Sequence, residues 1–195
     1  MRICQLNRKT AETEVSIEVN LDGTGISNIN TGCGFFDHML NQIARHGLID
    51  LTIQATGDLE VDTHHLVEDV GIVFGQAVAT ALGDKCGIKR YGTFTLPMDE
   101  CLSRVAIDLS GRTAPVFHVK IPTEKVGDVD TEVFREFFFA VADNLKAAIH
   151  VENLYGENSH HIVESCFKAF AHALREAVEF DERAKDKLPS TKEAL

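Results

Sequence analysis

The alternation of apolar and polar residues changes period several times along this chain, and it does so in the same order twice. Runs with a period of two and β-branched side chains predict strands over residues 13–20, 25–30, 51–56, 93–96, 103–108, 116–121 and 148–151. Apolar residues three and four apart predict helices over 35–45, 63–82, 131–146 and 160–180. Each half therefore reads as strands, helix, strand, helix. Sheets carrying helices on one face satisfy that order, which gives an α+β two-layer sandwich made of two similar lobes. After Phe180 the chain is charged and runs through Pro189-Ser190-Thr191-Lys192, a composition that predicts a mobile tail over 181–195.

The duplication reaches single residues. Leu66, Phe74, Val78, Ala81 and Leu82 fall opposite Ile162, Phe170, Leu174, Ala177 and Val178 at an offset of 96. Upstream, Phe36, Met39, Leu40 and Ile43 match Phe134, Phe137, Phe138 and Val141 at an offset of 98. No disordered linker separates the halves, so one domain over 1–195 is expected, built from repeats at about 8–88 and 89–180. With 195 residues, 44% of them hydrophobic and 4 prolines, the chain can bury a sizeable core.

Chemistry sits where each half's second helix begins. His64-His65-Leu66-Val67-Glu68 recurs as His160-His161-Ile162-Val163-Glu164. On a helix the first His and the Glu share a face, and the second His points about 100° away, so each motif offers ligands in two directions. Asp62/Thr63 and Asn158/Ser159 are suitable N-caps, placing these ligands at the helix mouths. The upstream helices set His38 opposite Glu136, and both residue types bind metals. The candidate metal set is His38, His64, His65, Glu68, Glu136, His160, His161 and Glu164. Imidazole and carboxylate without thiolate fit Mn²⁺, Fe²⁺, Co²⁺ or catalytic Zn²⁺ rather than a structural Cys-rich zinc site. One His-His pair is ordinarily a surface pair; two at matched helical positions point to chemistry.

A net charge of −11 and a pI near 5.2 argue against nucleic-acid or anionic-membrane partners, which need clustered positive charge. The N-terminus lacks a long apolar run, so no signal peptide or membrane span is expected and the chain reads as cytoplasmic. Cys4, Cys33, Cys86, Cys101 and Cys166 are odd in number and widely spaced, as reduced thiols are. An anionic substrate would need local cations, for which Lys89-Arg90, Arg112, Lys168 and Lys192 are candidates. Taken singly, each is an ordinary surface charge. Lys168 stands out because it follows Glu164 by four residues on a helix.

Phe36-Asp37-His38-Met39-Leu40, Asp62-Thr63-His64-His65-Leu66-Val67-Glu68-Asp69, Pro97-Met98-Asp99-Glu100 and Ser159-His160-His161-Ile162-Val163-Glu164 with Phe167-Lys168-Ala169-Phe170 carry a resemblance. Their order and spacing resemble the signatures of the imidazoleglycerol-phosphate dehydratase family of histidine biosynthesis. The likeness runs from Arg8 to Lys192 without a phosphatase-like extension, as in the monofunctional form. It implies ribosomal-protein-S5-domain-2-like lobes, a 24-subunit homo-oligomer built from trimers, and two Mn²⁺ per active site completed between neighbouring subunits. Metal ligands carry over to His38, His64, His65, Glu68, His160, His161 and Glu164; many members have His where this chain has Glu136. Contacts to the substrate's phosphate map onto Arg90, Arg112, Ser190 and Lys192, with Lys168 close by. Glu12 and His46 map nearer the reacting carbons, and Ser190-Thr191-Lys192 would close as a lid.

The resemblance implies a hydro-lyase that dehydrates D-erythro-imidazole-glycerol phosphate to imidazole acetol phosphate. Two metals on the ring nitrogens would make it imidazolate, an electron source for loss of the hydroxyl. Glu12 is the first candidate to take the chain proton, with Glu68 and Glu164 behind it. The rival readings are a dimetal hydrolase of another phosphorylated metabolite and a non-catalytic metal-storage or metal-assembled protein.

Overall fold

In the computed structural model, which describes residues 1–192 and 194, two lobes repeat one topology. The first contains β1 (Ile3–Lys9), β2 (Thr13–Asn20), β3 (Ser27–Asn30), α1 (Gly34–Gly47), β4 (Asp50–Gly57) and α2 (His64–Leu82). The second contains β5 (Tyr91–Met98), β6 (Cys101–Asp108), β7 (Ala114–His118), a small hairpin of β8 (Lys125–Val126) and β9 (Val129–Asp130), α3 (Val133–Leu145), β10 (Ala148–Tyr155) and α4 (Ser159–Val178). The sheets run β1-β2-β4-β3 and β5-β6-β10-β7. In each, the third and last strands pair in parallel while the other pairs are antiparallel. A parallel pair needs a crossover, and α1 and α3 supply it.

Each lobe is a two-layer sandwich, and the two join through their helices. α2 lies on β1 and β2, α4 lies on β5 and β6, and across the middle α1 packs on α4 and α2 on α3. The order is sheet, helices, helices, sheet. Phenylalanines weld the centre: ring centroids are 5.6 Å apart for Phe36 and Phe137, 5.2 Å for Phe137 and Phe167, and 4.9 Å for Phe138 and Phe167. The α2–α3 contact is tighter still, because a Cβ at Gly71 would lie 2.9 Å from the Phe137 carbonyl oxygen and one at Gly75 2.8 Å from that of Val141. Only glycine lets the two backbones approach this closely. α2 is long and apolar enough to cross a membrane by composition, but 67% of that window is buried inside the fold.

The structure departs from the sequence expectations at edges. β1 escapes a hydrophobic reading because its inward side chains are Cys4, Leu6 and Arg8. Arg8 pairs instead with buried Asp69 at 2.6 Å, and the Thr13 hydroxyl donates to the same carboxylate. β7 occupies 114–118 rather than 116–121, and residues 125–130 form the unanticipated hairpin. Thr63 makes no capping hydrogen bond; Asp62 accepts from the His64 backbone N–H at 2.7 Å instead. Asn158 caps as expected, accepting from the N–H groups of His160 and His161.

The expected mobile tail is held along part of its length. Gly87 N–H donates to Lys187 O at 2.9 Å, Asp181 N–H donates to Gly87 O at 2.8 Å, and Arg90 Nη1 donates to Pro189 O at 2.8 Å. Charged composition hides these bonds because their acceptors are backbone carbonyls.

Candidate active site

α1 and α4 bring the first constellation together. Glu164 Oε2 receives His160 Nε2 at 2.8 Å and His38 Nε2 at 3.1 Å, while Glu164 Oε1 takes Lys168 Nζ at 2.6 Å. The ligand atoms of His38, His160 and Glu164 all lie within 4.8 Å of one another. Glu164 shows only 7% of its side chain, whereas His38 shows 44% and faces solvent. Burial alone would raise the Glu164 carboxyl, but Lys168, His160 and His38 outweigh it and hold the group at about 2. Two imidazoles and an ionised carboxylate, with no sulfur, are a donor set that fits a divalent transition metal. Ligands from this chain leave further coordination positions open.

The outer histidine of each pair faces a different carboxylate group. His65 Nδ1 lies 3.0 Å from Asp58 Oδ2 and 3.8 Å from Glu12 Oε2. His161 Nδ1 lies 2.8 Å from Glu100 Oε2, and its Nε2 lies 3.6 Å from Asp99 Oδ2. Asp58 raises the His65 imidazole and Glu100 raises that of His161 above the ordinary value. In return, His161 and the Asn158 N–H hold Glu100 well below the usual carboxylate range. Glu12 sits on the β1–β2 turn and lines a shallow cavity of about 340 Å³ with Asp58, Thr13 and Gly57.

Other expected residues stand apart. Among the described residues, His64, His65, Glu68, Glu136 and His161 do not join the His38 cluster. Glu136 pairs with its neighbour Arg135 at 2.8 Å. Arg90, in the left-handed region at φ 71°, forks onto Asp108 at 2.7 and 3.2 Å and lines a cavity of about 410 Å³ with Tyr91, Leu188, Pro189, Ser190 and Thr191. Arg112 is exposed on the turn after β6, and Lys192 is exposed with its N–H donating to Ser190 Oγ at 3.2 Å.

The residues that sequence reasoning passed over are polar partners. His172 stacks on Phe94 with ring centroids 4.1 Å apart and lies 5.4 Å from His46. Burial lowers both imidazoles, with Lys168 adding to the effect at His46 and Arg175 at His172. His172 follows Lys168 by four residues on α4, the one signal that could have found it. Asp58 directly follows β4, where no periodicity marks it, and Glu100, on the β5–β6 turn, stands within a family signature without being singled out as a site residue.

Residues 31–174 match the family model described as imidazoleglycerol-phosphate dehydratase. The chain is 56% identical to a Cereibacter sphaeroides imidazoleglycerol-phosphate dehydratase and 57% identical to one from Nitrobacter hamburgensis, covering 100% of this chain and 100% and 99% of those proteins. The crystal structure of the Staphylococcus aureus enzyme superposes with a TM-score of 0.84 at 41% identity, covering 92% of this chain and 99% of that one. The structure from Pyrococcus furiosus, in complex with (S)-C348, gives 0.84 at 36% identity over 97% and 100%. With its duplicated lobes, its two histidine pairs and these likenesses, the chain belongs to the imidazoleglycerol-phosphate dehydratase family of hydro-lyases.

Proposed function

We propose that this chain dehydrates D-erythro-imidazole-glycerol phosphate to imidazole acetol phosphate with two Mn²⁺ per active site, the sites being completed between subunits of a cytoplasmic 24-mer built from trimers. The step belongs to histidine biosynthesis, where the family acts. The observation that carries the reading is the convergence of His38, His160 and Glu164 within 4.8 Å, a ligand set left incomplete within one chain. His64, His65, Glu68, Glu136 and His161 supply the remaining donors in this account, with Glu136 offering carboxylate where imidazole is common.

Divalent ions held by these residues would supply Lewis acidity towards the substrate's ring nitrogens and its departing hydroxyl. The chain's own groups do the rest. Lys168 keeps Glu164 ionised, so the ligand carboxylate does not compete for the ring's proton. Glu12, exposed on its turn beside His65, takes the proton from the glycerol chain. Arg90, Arg112, Ser190, Thr191 and Lys192 gather the phosphate, with Lys168 close by and the tail as the closing element; His46 lies nearer the reacting carbons. Residues 1–195 act as one domain of two repeats, 8–88 and 89–180, with 181–195 as the tail; Glu193 and Leu195 lie outside the described residues.

Incubating the protein with substrate and Mn²⁺ while following the ketone's absorbance tests the reading. Turnover that chelation abolishes and Mn²⁺ restores is expected; a metal-loaded protein that leaves the substrate intact contradicts it. Arg90→Met should raise KM about tenfold or more, the scale of a lost charged hydrogen bond, and leave assembly unchanged by light scattering.

A further inference from the structure

Both outer histidines are held by the same ring atom, and the two lobes do it with unrelated residues. In the first lobe Asp58, at the end of β4, meets His65 Nδ1 at 3.0 Å. In the second lobe Glu100, on the β5–β6 turn, meets His161 Nδ1 at 2.8 Å. His65 and His161 are repeats of one another at an offset of 96, but Asp58 and Glu100 come from non-equivalent places. A contact reached by two routes is less easily an accident of one turn's shape.

We infer that Asp58 and Glu100 are positioning residues that fix His65 and His161 with the proton on Nδ1, leaving Nε2 as the atom each ring presents to a divalent ion. The inference rests on the metal-dependent reading above and adds which nitrogen binds and what aims it. An ionised carboxylate accepts but cannot donate, so the Nδ1 it faces must carry the proton and Nε2 keeps its lone pair. Ligating imidazoles are held this way in metal sites generally, the outer carboxylate fixing both tautomer and ring direction.

Glu100 is itself well placed to aim a ring. Its Oε1 accepts from the N–H groups of Glu157 at 3.2 Å and Asn158 at 2.8 Å, which locks the carboxylate to the start of α4 while Oε2 holds His161. Asp58 has 20% of its side chain exposed against 54% for Glu12, whose 3.8 Å approach to the same nitrogen is too long for a hydrogen bond. Glu12 thus stays free for substrate. Among the described residues, the acid paired with His161 Nε2 is Asp99 at 3.6 Å, 77% exposed and easily displaced by an ion. His38 and His160 also meet Glu164 through Nε2, so all four rings would serve through the same atom.

The test uses the full chain with Mn²⁺ alone as probe. Manganese affinity is titrated by the EPR signal of the free ion for wild type, Asp58→Asn and Glu100→Gln, and histidine tautomers are read by ¹⁵N NMR on the metal-free protein. Affinity should fall about 10–100-fold in each variant, with both rings protonated at Nδ1 in wild type. Unchanged affinity in both variants, or protons on Nε2, overturns the inference. Asp58→Asn guards against misfolding, because among the described residues the side chain's hydrogen bond is to His65 alone and no backbone group depends on it. Failure of the dehydratase reading would look different: Mn²⁺ would bind wild type normally without turnover.

Discussion

Two helix seams join the lobes, and the duplication has taken them in opposite directions. The α1–α4 seam carries His38, Gln42 and His46 on one helix and Glu164, Lys168 and His172 on the other. Their repeats on α3 and α2 are Glu136, Ala140 and Asn144 with Glu68, Ile72 and Gln76. Where the first seam has Phe167 and Ala171, the second has Gly71 and Gly75, whose missing side chains bring the backbones together. The polar remnant there, among the described residues, is the hydrogen bond from Gln76 Nε2 to Asn144 Oδ1 at 3.0 Å. One seam is drawn shut for stability. The other holds a buried carboxylate, its lysine and a ladder of imidazoles.

The difference is sharpest at the two motif glutamates. Glu164 is buried with three cationic or imidazole partners, while Glu68 is half-buried and, among the described residues, makes no ion pair. The second-lobe glutamate thus already sits among its partners, and the first-lobe glutamate does not. Glu164→Gln should cost more than the 10–100-fold in Mn²⁺ affinity typical of an outer partner, because it removes a direct ligand. Titration against Glu68→Gln ranks the two; a larger loss at Glu68 breaks the comparison.

Giving α4 its repeat's residue, Lys168→Ile, should destabilise the metal-free chain by about 2–3 kcal/mol in urea unfolding. The reciprocal Ile72→Lys should cost less than about 1 kcal/mol, since Ile72 is half-buried and needs no partner. The Lys168 effect also has a pH signature. Glu164 titrates at about 2 in the folded chain against an ordinary 4.5, so its stabilisation is present above the ordinary value and lost as pH falls towards 2. The gap between wild type and Lys168→Ile should thus be full at neutral pH, narrow once pH falls below about 4.5 and close only near pH 2.

Gly75→Ala inserts the residue its repeat already has, yet it should cost about 1–3 kcal/mol, because the new methyl meets a backbone carbonyl that cannot move aside. Ala171→Gly, the reverse exchange on α4, should cost about 1 kcal/mol through helix propensity. Smallest of all, Gln76→Ala should change stability by about 0.5–1 kcal/mol, the worth of one exposed hydrogen bond. Thermal unfolding of the three variants orders them.

Much of this was legible from periodicity. The helices, most strands and the repeat follow from apolar spacing, and the ligand types follow from the two His-His-x-x-Glu motifs. Partnership was not legible. Period fixes which face of a helix is buried, not which helix it meets, so nothing in the chain said that His38 would join His160 and Glu164 while Glu136 turned to Arg135. Asp58 was silent for the same reason, and the Pro97-Met98-Asp99-Glu100 signature did not say that Glu100 would meet His161. β1 was hidden because one of its three inward side chains is an arginine that becomes apolar-compatible only once Asp69 neutralises it.

The central claim is that ligands from both lobes, contributed by more than one chain, enclose two divalent ions. Anomalous diffraction at the manganese edge from crystals grown with Mn²⁺ tests it directly. Two ions per chain, with Nε2 atoms of both histidine pairs among their ligands and with donors from a neighbouring subunit, are predicted. A single ion held by His38, His160 and Glu164 of one chain, with His64, His65 and Glu68 facing solvent, would contradict it.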